Sequence, residues 1–400
     1  MKQPTPSAAI IQLPSGPSLW VSVLRERVRA TIQGVIDEEL RDALGVESYG
    51  RSEARRGYRN GTQERRLTSE YGRVELQVPR ARLKEADGTM KEWRSHVVPR
   101  YERRTAAVNA AVVGAYLAGA NTRRIRRLLE PLLGDEALSK SAISRVVGRL
   151  KANFESRRTR DLSRERYAYL YLDAMFLPVR LVRRVVRVPV QAVLGVREDG
   201  QKVLLVLEIA SSESTASWTA IVQGLAKRGL VPAKLVVLDG NPGLSRAVRQ
   251  TWPGVEVQRC TKHKLENLLA KAPKHCHAEL KRDYQAIIHA EDIVAARSAY
   301  QAFLVKWRRL APEVARSLEE AGEELLSFMN YPRSQWKSLR TTNQIERLNG
   351  EFRRRTKTQG SFVNETAALV LLYALIAMGQ IQMRKIDGHQ AIEEVLNQVA

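Results

Sequence analysis

The chain has 400 residues, enough for two or three domains with a substantial core. Hydrophobic residues make up 44% of it, which excludes a mainly disordered chain, and a net charge of +23 with a pI near 10.3 calls for a polyanionic partner, above all nucleic acid. The longest apolar run, 366–379, falls short of the ~20 residues of a membrane-spanning helix, so no membrane partner is expected.

The first residues, rich in proline, serine and glycine, carry neither the basic start nor the apolar stretch of a secretory signal. Cys260 and Cys276 are too few for a disulfide framework and point to a reducing cytoplasm, at the nucleoid if the partner is DNA. A disordered tail leads to a helix over 19–44, where Val23, Val28, Ile32, Ile36 and Leu40 keep a helical period, and the two make up a first segment, 1–49. Residues 50–104 form a small basic β-containing region. "GRVELQVPRAR" alternates as a half-buried strand, and "GRSEARRGYRNGTQERRL" before it is read as a phosphate-contacting stretch.

Three short helices follow. "NTRRIRRLLEPLL" starts on an Asn121 cap, a turn through Gly134 follows, and "SKSAISRVVGRL" starts on Ser139 or Ser141. This is a helix-turn-helix-like DNA-binding domain with a basic linker helix, 105–165, although any trihelical core can mimic the pattern. Lys140, Ser141, Ser144 and Arg145 are its candidates for base edges, with Arg123 and Arg124 as further DNA contacts.

From 166 to 272 the pattern changes. Three strands with hairpin connections near Arg183–Arg184 and Asp199–Gly200 are followed by helix, strand "KLVVLD", helix, strand "VEVQRC" and helix. Three antiparallel strands followed by α-β-α-β-α is a ribonuclease-H-like order. Residues 273–340 read as an all-α insertion, and 341–400 as the C-terminal helices of the core. The fold class is therefore α+β and multidomain: a ribonuclease-H-like mixed α/β catalytic core with an all-α insertion, preceded by the basic β-containing region and the helical domain.

Asp173 follows the apolar end of the first core strand and Asp239 ends "KLVVLD" at its carboxyl edge. Neighbouring strands bring the two acids together, and close carboxylates repel unless a cation lies between them, as Mg²⁺ does in oxygen-rich sites. In "TTNQIERLNGEFRRR", Ile345, Leu348 and Phe352 form an apolar stripe, with Glu346, Asn349 and Arg353 along one margin and Glu351 on the other. Gly350 is read as making room for a backbone or metal. Glu346 is a third carboxylate, unless it is an ordinary surface charge in a helical ion pair. Asn349, Arg353, Arg354, Arg355 and Lys357 are DNA-contact candidates. Trp218, Trp252 and Trp307 are read as core anchors.

From Gly57 to Leu375 the chain resembles the bacterial insertion-sequence transposases related to the eukaryotic Mutator elements. "YLYLDAMFLPVR" and "VVLDGNPGLSRAV" look like the two aspartate motifs, "QRCTKHKLENLL" like the Cys-x-x-His signature, and "LRTTNQIERLNGEFRRRTK" like the glutamate helix. One departure is Ala174, where glycine is common in the group. The resemblance implies a DDE transposase with Asp173, Asp239 and Glu346 as its catalytic, metal-binding acids. It implies Mg²⁺, with Mn²⁺ able to substitute, and terminal inverted repeats and target DNA as partners of a homodimer in the DNA complex. It places Cys260 and His263 near the second aspartate, shaping the site or contacting DNA; a purely structural role for them stays open. His275, Cys276 and His277 add zinc-type donors, but the helical period of "KHKLENLLAK" argues against zinc. A non-catalytic DNA-binding regulator and a ribonuclease-H-like nuclease without strand transfer remain the alternatives.

Overall fold

The computed structural model describes residues 19–47, 50, 52, 55–85, 87–133, 138–181, 183–357, 361–362 and 364–397. The expected tail and the turn at Gly134 lie outside these residues. The chain divides into two compact units, one through Arg149 and one from Leu150.

In the first unit, helix α1 (Leu19–Leu44) precedes strands β1 (Gly57–Ser69), β2 (Gly72–Lys84) and β3 (Met90–Glu92), which form a sheet in that order. Alternation in β2 turns Val74, Leu76 and Val78 inward against Ile36, Leu40 and Leu44 of α1. Val23, by contrast, is 48% exposed, so only the second half of α1 uses its apolar stripe. β1 is the arginine-rich stretch that sequence reading left without structure. Its residues are mostly exposed, so the ladder to β2, not apolar alternation, makes it a strand. Helices α2 (Ala106–Leu117), α3 (Thr122–Leu133) and α4 (Lys140–Thr159) follow, and the division between units falls within α4. Asn121 caps α3 as expected, accepting from the Arg124 N–H at 3.0 Å. Ser139 caps α4, accepting from Ala142 N–H at 3.1 Å.

The second unit is built on strands β4 (Tyr167–Leu181), β5 (Arg184–Arg197) and β6 (Lys202–Ile209). They are joined to β7 (Leu235–Leu238) and β8 (Glu256–Arg259) through α5 (Thr215–Lys227) and α6 (Pro242–Thr251). The sheet order is β6-β5-β4-β7-β8, with β4, β5 and β6 antiparallel and β7 and β8 running parallel to β4. Leu170 and Leu172 turn to one face, where Trp218, Val222, Leu244 and Val248 of α5 and α6 cover them. The residues between turn to the other face: the Tyr171 hydroxyl donates to the Ser338 carbonyl at 3.0 Å, and the Tyr169 hydroxyl bonds Gln335. Trp218, Trp252 and Trp307 are all buried, as expected of core anchors.

Next come α7 (Thr261–Lys271), α8 (His277–Ile288), α9 (Ile293–Leu310), α10 (Pro312–Ala321) and the short α11 (Trp336–Leu339). The glutamate-bearing α12 (Asn343–Thr356), α13 (Glu365–Ala377) and α14 (Ile392–Asn397) end the unit. Among the described residues, 273–339 contains helices and no strand, with a core of its own around Tyr284, Phe303, Trp307 and Leu318.

A charged cluster ties these helices to the sheet. Arg259, at the end of β8, bonds both oxygens of Glu320 on α10 at 3.0 and 3.3 Å. Lys264 reaches Glu320 at 2.7 Å and the Ser317 carbonyl at 2.8 Å. Both cations are buried and Glu320 is half exposed. Removing the carboxylate strands two buried charges, so Glu320→Ala should cost about 2 kcal/mol, less than a fully buried pair because solvent reaches Glu320. Chemical denaturation followed by tryptophan fluorescence checks this; an unchanged midpoint would mean that the cluster does not hold the sheet and helices together.

Candidate active site

The register of β4 against β7 sets the first two acids. Leu172 pairs with Leu238, and the next residues along the two parallel strands are Asp173 and Asp239. Asp173 lies on the sheet face opposite Leu172, toward α12, and both carboxylates are half-buried. Burial, then the charge of Asp239, pushes the Asp173 carboxyl up to about 7; the Ala174 N–H, His263 and the Asn349 amide oppose the rise. Among the described residues, no lysine or arginine forms an ion pair with either aspartate.

The turn after β7 is held tightly. The Asn241 N–H donates to Asp239 Oδ1 at 2.8 Å, while the Asn241 side chain caps α6 by accepting from Gly243 and Leu244. Gly240 has φ +96°, and a β-carbon there would lie 2.4 Å from Arg259 Nη2. Only glycine lets the buried guanidinium lie under this backbone.

Asn349 was expected among the DNA contacts. It is instead fully buried, and its Nδ2 donates to Asp173 Oδ2 at 2.8 Å, while its own Oδ1 has no partner among the described residues. The close approach of the sheet decides this: at the margin of the apolar stripe, Asn349 is still packed deeply enough to be buried on α12 against Asp173. Gly350 is exposed, with open space where a β-carbon would go and no other described residue close to it.

Glu346 is held by its own set of partners. Lys262 Nζ lies 2.6 Å from Oε2, Thr342 Oγ1 donates to Oε1 at 2.8 Å, and His263 Nε2 is 3.7 Å from Oε1. Burial works to raise this carboxyl, but Lys262, Thr342 and His263 outweigh it and leave it below the usual value. Cys260, which precedes α7, has its sulfur 3.2 Å from Thr342 Oγ1. The threonine has one hydroxyl proton, so Cys260 and Glu346 compete for it. The hydrogen bond to Cys260 raises His263 to about 9, with further charge from Glu346 and Asp239. His263 thus links the aspartates electrostatically to Glu346.

The tightest metal-type cluster among the described residues is Cys260, His263 and Glu346, with ligand atoms within 4.8 Å of one another. His275, Cys276 and His277 are not part of it; the His277 ring bonds the Ala272 carbonyl at 3.1 Å. Sequence reading missed Lys262, Thr342, Asn241 and Glu213. Glu213 precedes the Ser214 cap of α5, accepts from Asn241 Nδ2 at 3.4 Å, and is raised by burial and by Asp239. Its signal was an acid immediately before a serine cap, at the carboxyl edge of the sheet.

The basic candidates divide. Arg353 and Lys357 are exposed, and Arg353 has no ion-pair partner among the described residues. Arg354 pairs with Glu351 at 2.5 Å. Arg355 is committed to the protein through Glu351 and Gln380 and is not free for a phosphate. In the first unit, Arg123, Arg124, Lys140, Ser141, Ser144 and Arg145 are exposed, and Arg145 Nε donates to the Ser141 carbonyl at 3.3 Å.

The profile of the family described as "Transposase, Mutator family" matches residues 15–383. The chain is 34% identical over 352 residues to the transposase for insertion sequence element ISRM5 of Rhizobium meliloti, covering 88% of this chain and 86% of the relative. It is 31% identical to the transposase for IS256 in transposon Tn4001 of Staphylococcus aureus, covering 86% of each chain. To the transposase for IS1081 of Mycobacterium tuberculosis it is 31% identical, covering 89% of this chain and 84% of that one. Among solved structures, the Drosophila P element transposase strand transfer complex aligns over 69% of this chain and 92% of that chain. Its TM-score is 0.34 at 11% identity, too low to establish a shared fold. With a family match that spans nearly its whole length and relatives at 31–34% identity over most of it, the chain belongs to the Mutator family of transposases.

Proposed function

We propose that this chain is a DDE transposase of an insertion sequence. It binds the terminal inverted repeats, cuts the strand at each 3′ end and joins the new 3′ hydroxyl to a target phosphodiester, acting as a homodimer on DNA. Its catalytic core is a ribonuclease-H-like sheet, a reading supported by the β6-β5-β4-β7-β8 order and the parallel run of β7 and β8 on β4. The observation that carries the proposal is the register that sets Asp173 beside Asp239 on adjacent parallel strands.

A divalent cation fits these two residues. Their donors are hard carboxylate oxygens, no lysine or arginine neutralises either one among the described residues, and burial together with the Asp239 charge raises Asp173. Asp173, Asp239 and Glu346 would hold Mg²⁺, or Mn²⁺ in its place. When bound, such a cation activates the attacking oxygen of a phosphodiester and stabilises the leaving one. Asn349 fixes the rotamer of Asp173. Lys262 and Thr342 hold Glu346 in place, and His263 adds positive charge where a scissile phosphate arrives. Arg353 and Lys357 hold the flanking backbone.

Asp173→Asn, Asp239→Asn and Glu346→Gln should each lower 3′-end cleavage at least ~100-fold while binding to element ends stays within about threefold, because the phosphate contacts are elsewhere. A Glu346→Gln enzyme as active as wild type would return that glutamate to the status of a surface ion pair.

Asn349→Ala tests the positioning of Asp173. The amide holds that carboxyl down against burial and Asp239, so its loss raises the group further. The acid limb of the cleavage–pH profile should move to higher pH, with about tenfold lower activity at neutral pH and unchanged DNA affinity. A role in packing alone predicts lower stability with the profile in place.

Arg353→Ala should weaken DNA binding uniformly across sequences and make the slope of log affinity against log salt shallower by about one, the loss of a single phosphate contact. An unchanged slope, measured by titration over a salt series, removes Arg353 from the DNA path.

A further inference from the structure

Among the described residues, Tyr101 is the only one other than glycine with positive φ, at +82°. It occupies the third position of a tight turn closed by the Glu102 N–H donating to the Pro99 carbonyl at 3.1 Å, where positive φ normally selects glycine or asparagine. The ring of this bulky residue is not sheltered: Tyr101 is 84% exposed.

The surrounding structure imposes the turn. Arg65 donates to three carbonyls around it: Val98 at 2.7 Å, and Pro99 and Glu102 at 2.9 Å. On the far side, the Thr68 N–H donates to the Arg103 carbonyl at 2.9 Å and the Thr105 N–H to the Thr68 carbonyl at 3.0 Å. Before the turn, Ser95 accepts from the Val98 N–H at 3.2 Å and itself donates to Glu39 at 2.6 Å. A strained backbone presenting an aromatic ring to solvent is stable only because both flanks are clamped. Burial does not explain the ring's position, since almost none of it is buried.

Its setting indicates what the ring meets. Tyr101 lines a groove of about 920 Å³ together with Arg66, Arg80, Arg94, Arg103 and Arg145, the last from the start of α4. The Arg100 guanidinium lies 5.5 Å from the ring centroid. Arginines follow a phosphate backbone, and a rigid exposed aromatic among them offers a platform for the π-face of a base.

We propose that Tyr101 stacks on an unpaired nucleobase of DNA lying in this groove, so that the first unit engages locally opened DNA as well as duplex backbone. The inference rests on the DNA-binding reading above and adds to it the state of the DNA. A fully paired duplex keeps its bases stacked on one another and gives the ring no face to meet.

The test uses the full chain and two synthetic probes of one sequence. One is a complete duplex; the other carries a small unpaired bubble containing 2-aminopurine, whose fluorescence is quenched by stacking. Wild type and Tyr101→Phe should quench the bubble probe. Tyr101→Ala and Tyr101→Gly should lose the quench and bind that probe about tenfold more weakly, with duplex affinity unchanged. Because glycine accepts the backbone without strain, Tyr101→Gly should melt no lower than wild type, which separates loss of contact from loss of fold. If wild type binds both probes and the Ala and Gly variants quench like it, or if wild type binds without quenching, the stacking proposal fails and DNA binding stands. If wild type binds neither probe, both readings fail.

Discussion

The repulsion between Asp173 and Asp239 is the constraint around which the second unit is arranged. Two half-buried carboxylates lie on adjacent strands, and burial together with the Asp239 charge pushes the Asp173 carboxyl up to about 7. The protein places them there through the register of a parallel strand pair, which cannot slip without turning Leu170 and Leu172 out of the core. Apolar packing on one face of β4 thus maintains an unfavourable electrostatic arrangement on the other.

Partial relief comes from the nearby His263 charge and from neutral amide donors. The Asn349 amide and the Ala174 N–H face Asp173, and the Asn241 N–H faces Asp239. Amide dipoles orient carboxylates without neutralising them, so the centre stays attractive to a cation. Glu346 is treated differently, with a lysine, a threonine and a histidine around it. Lys262 and His263 come from α7, whose first residues also bond to the Arg340 carbonyl just before α12. The Cys-x-x-His segment therefore acts as a bracket between the edge of the sheet and the glutamate helix, with Cys260 buried and His263 turned toward the acids.

A second bracket reaches the site from the helical insertion. Glu320 on α10 holds Arg259, and the Arg259 guanidinium fills the space that Gly240 leaves beside Asp239. The insertion is thereby coupled by packing to the turn that carries the second acid, through groups that are costly to separate once buried. In a chain of net charge +23, Glu320 is used to fix two buried cations, while Arg353 and Lys357 stay exposed.

Much of the architecture was legible in order and period. The bounds of α1, the succession of three strands and then α-β-α-β-α, the helical run after 273 and the tryptophan anchors follow from apolar spacing and turn residues, which act locally. Asp239 could be placed at a strand end and Glu346 on a helix face because these are local properties too, whereas Asp173, expected where the apolar run ends, lies in the middle of β4, which continues to Leu181. β1 was not legible, since its residues are polar and arginine-rich and only the ladder to β2 makes it a strand. Asn349 was assigned to DNA because helical phase gives an angle but not the depth of packing, and the sheet lies close enough to bury it against Asp173. Arg355 looked as free as Arg353 until Gln380, distant in sequence, was placed beside it. Glu213, the Thr342 hydroxyl shared between Cys260 and Glu346, and the guanidinium under Gly240 depend on contacts across long stretches of chain. The sequence by itself determined which groups could carry charge and on which kind of element each sits. Only tertiary packing decided which of them meet, because a hydrogen bond between distant residues is set by the close fit of the elements that carry them.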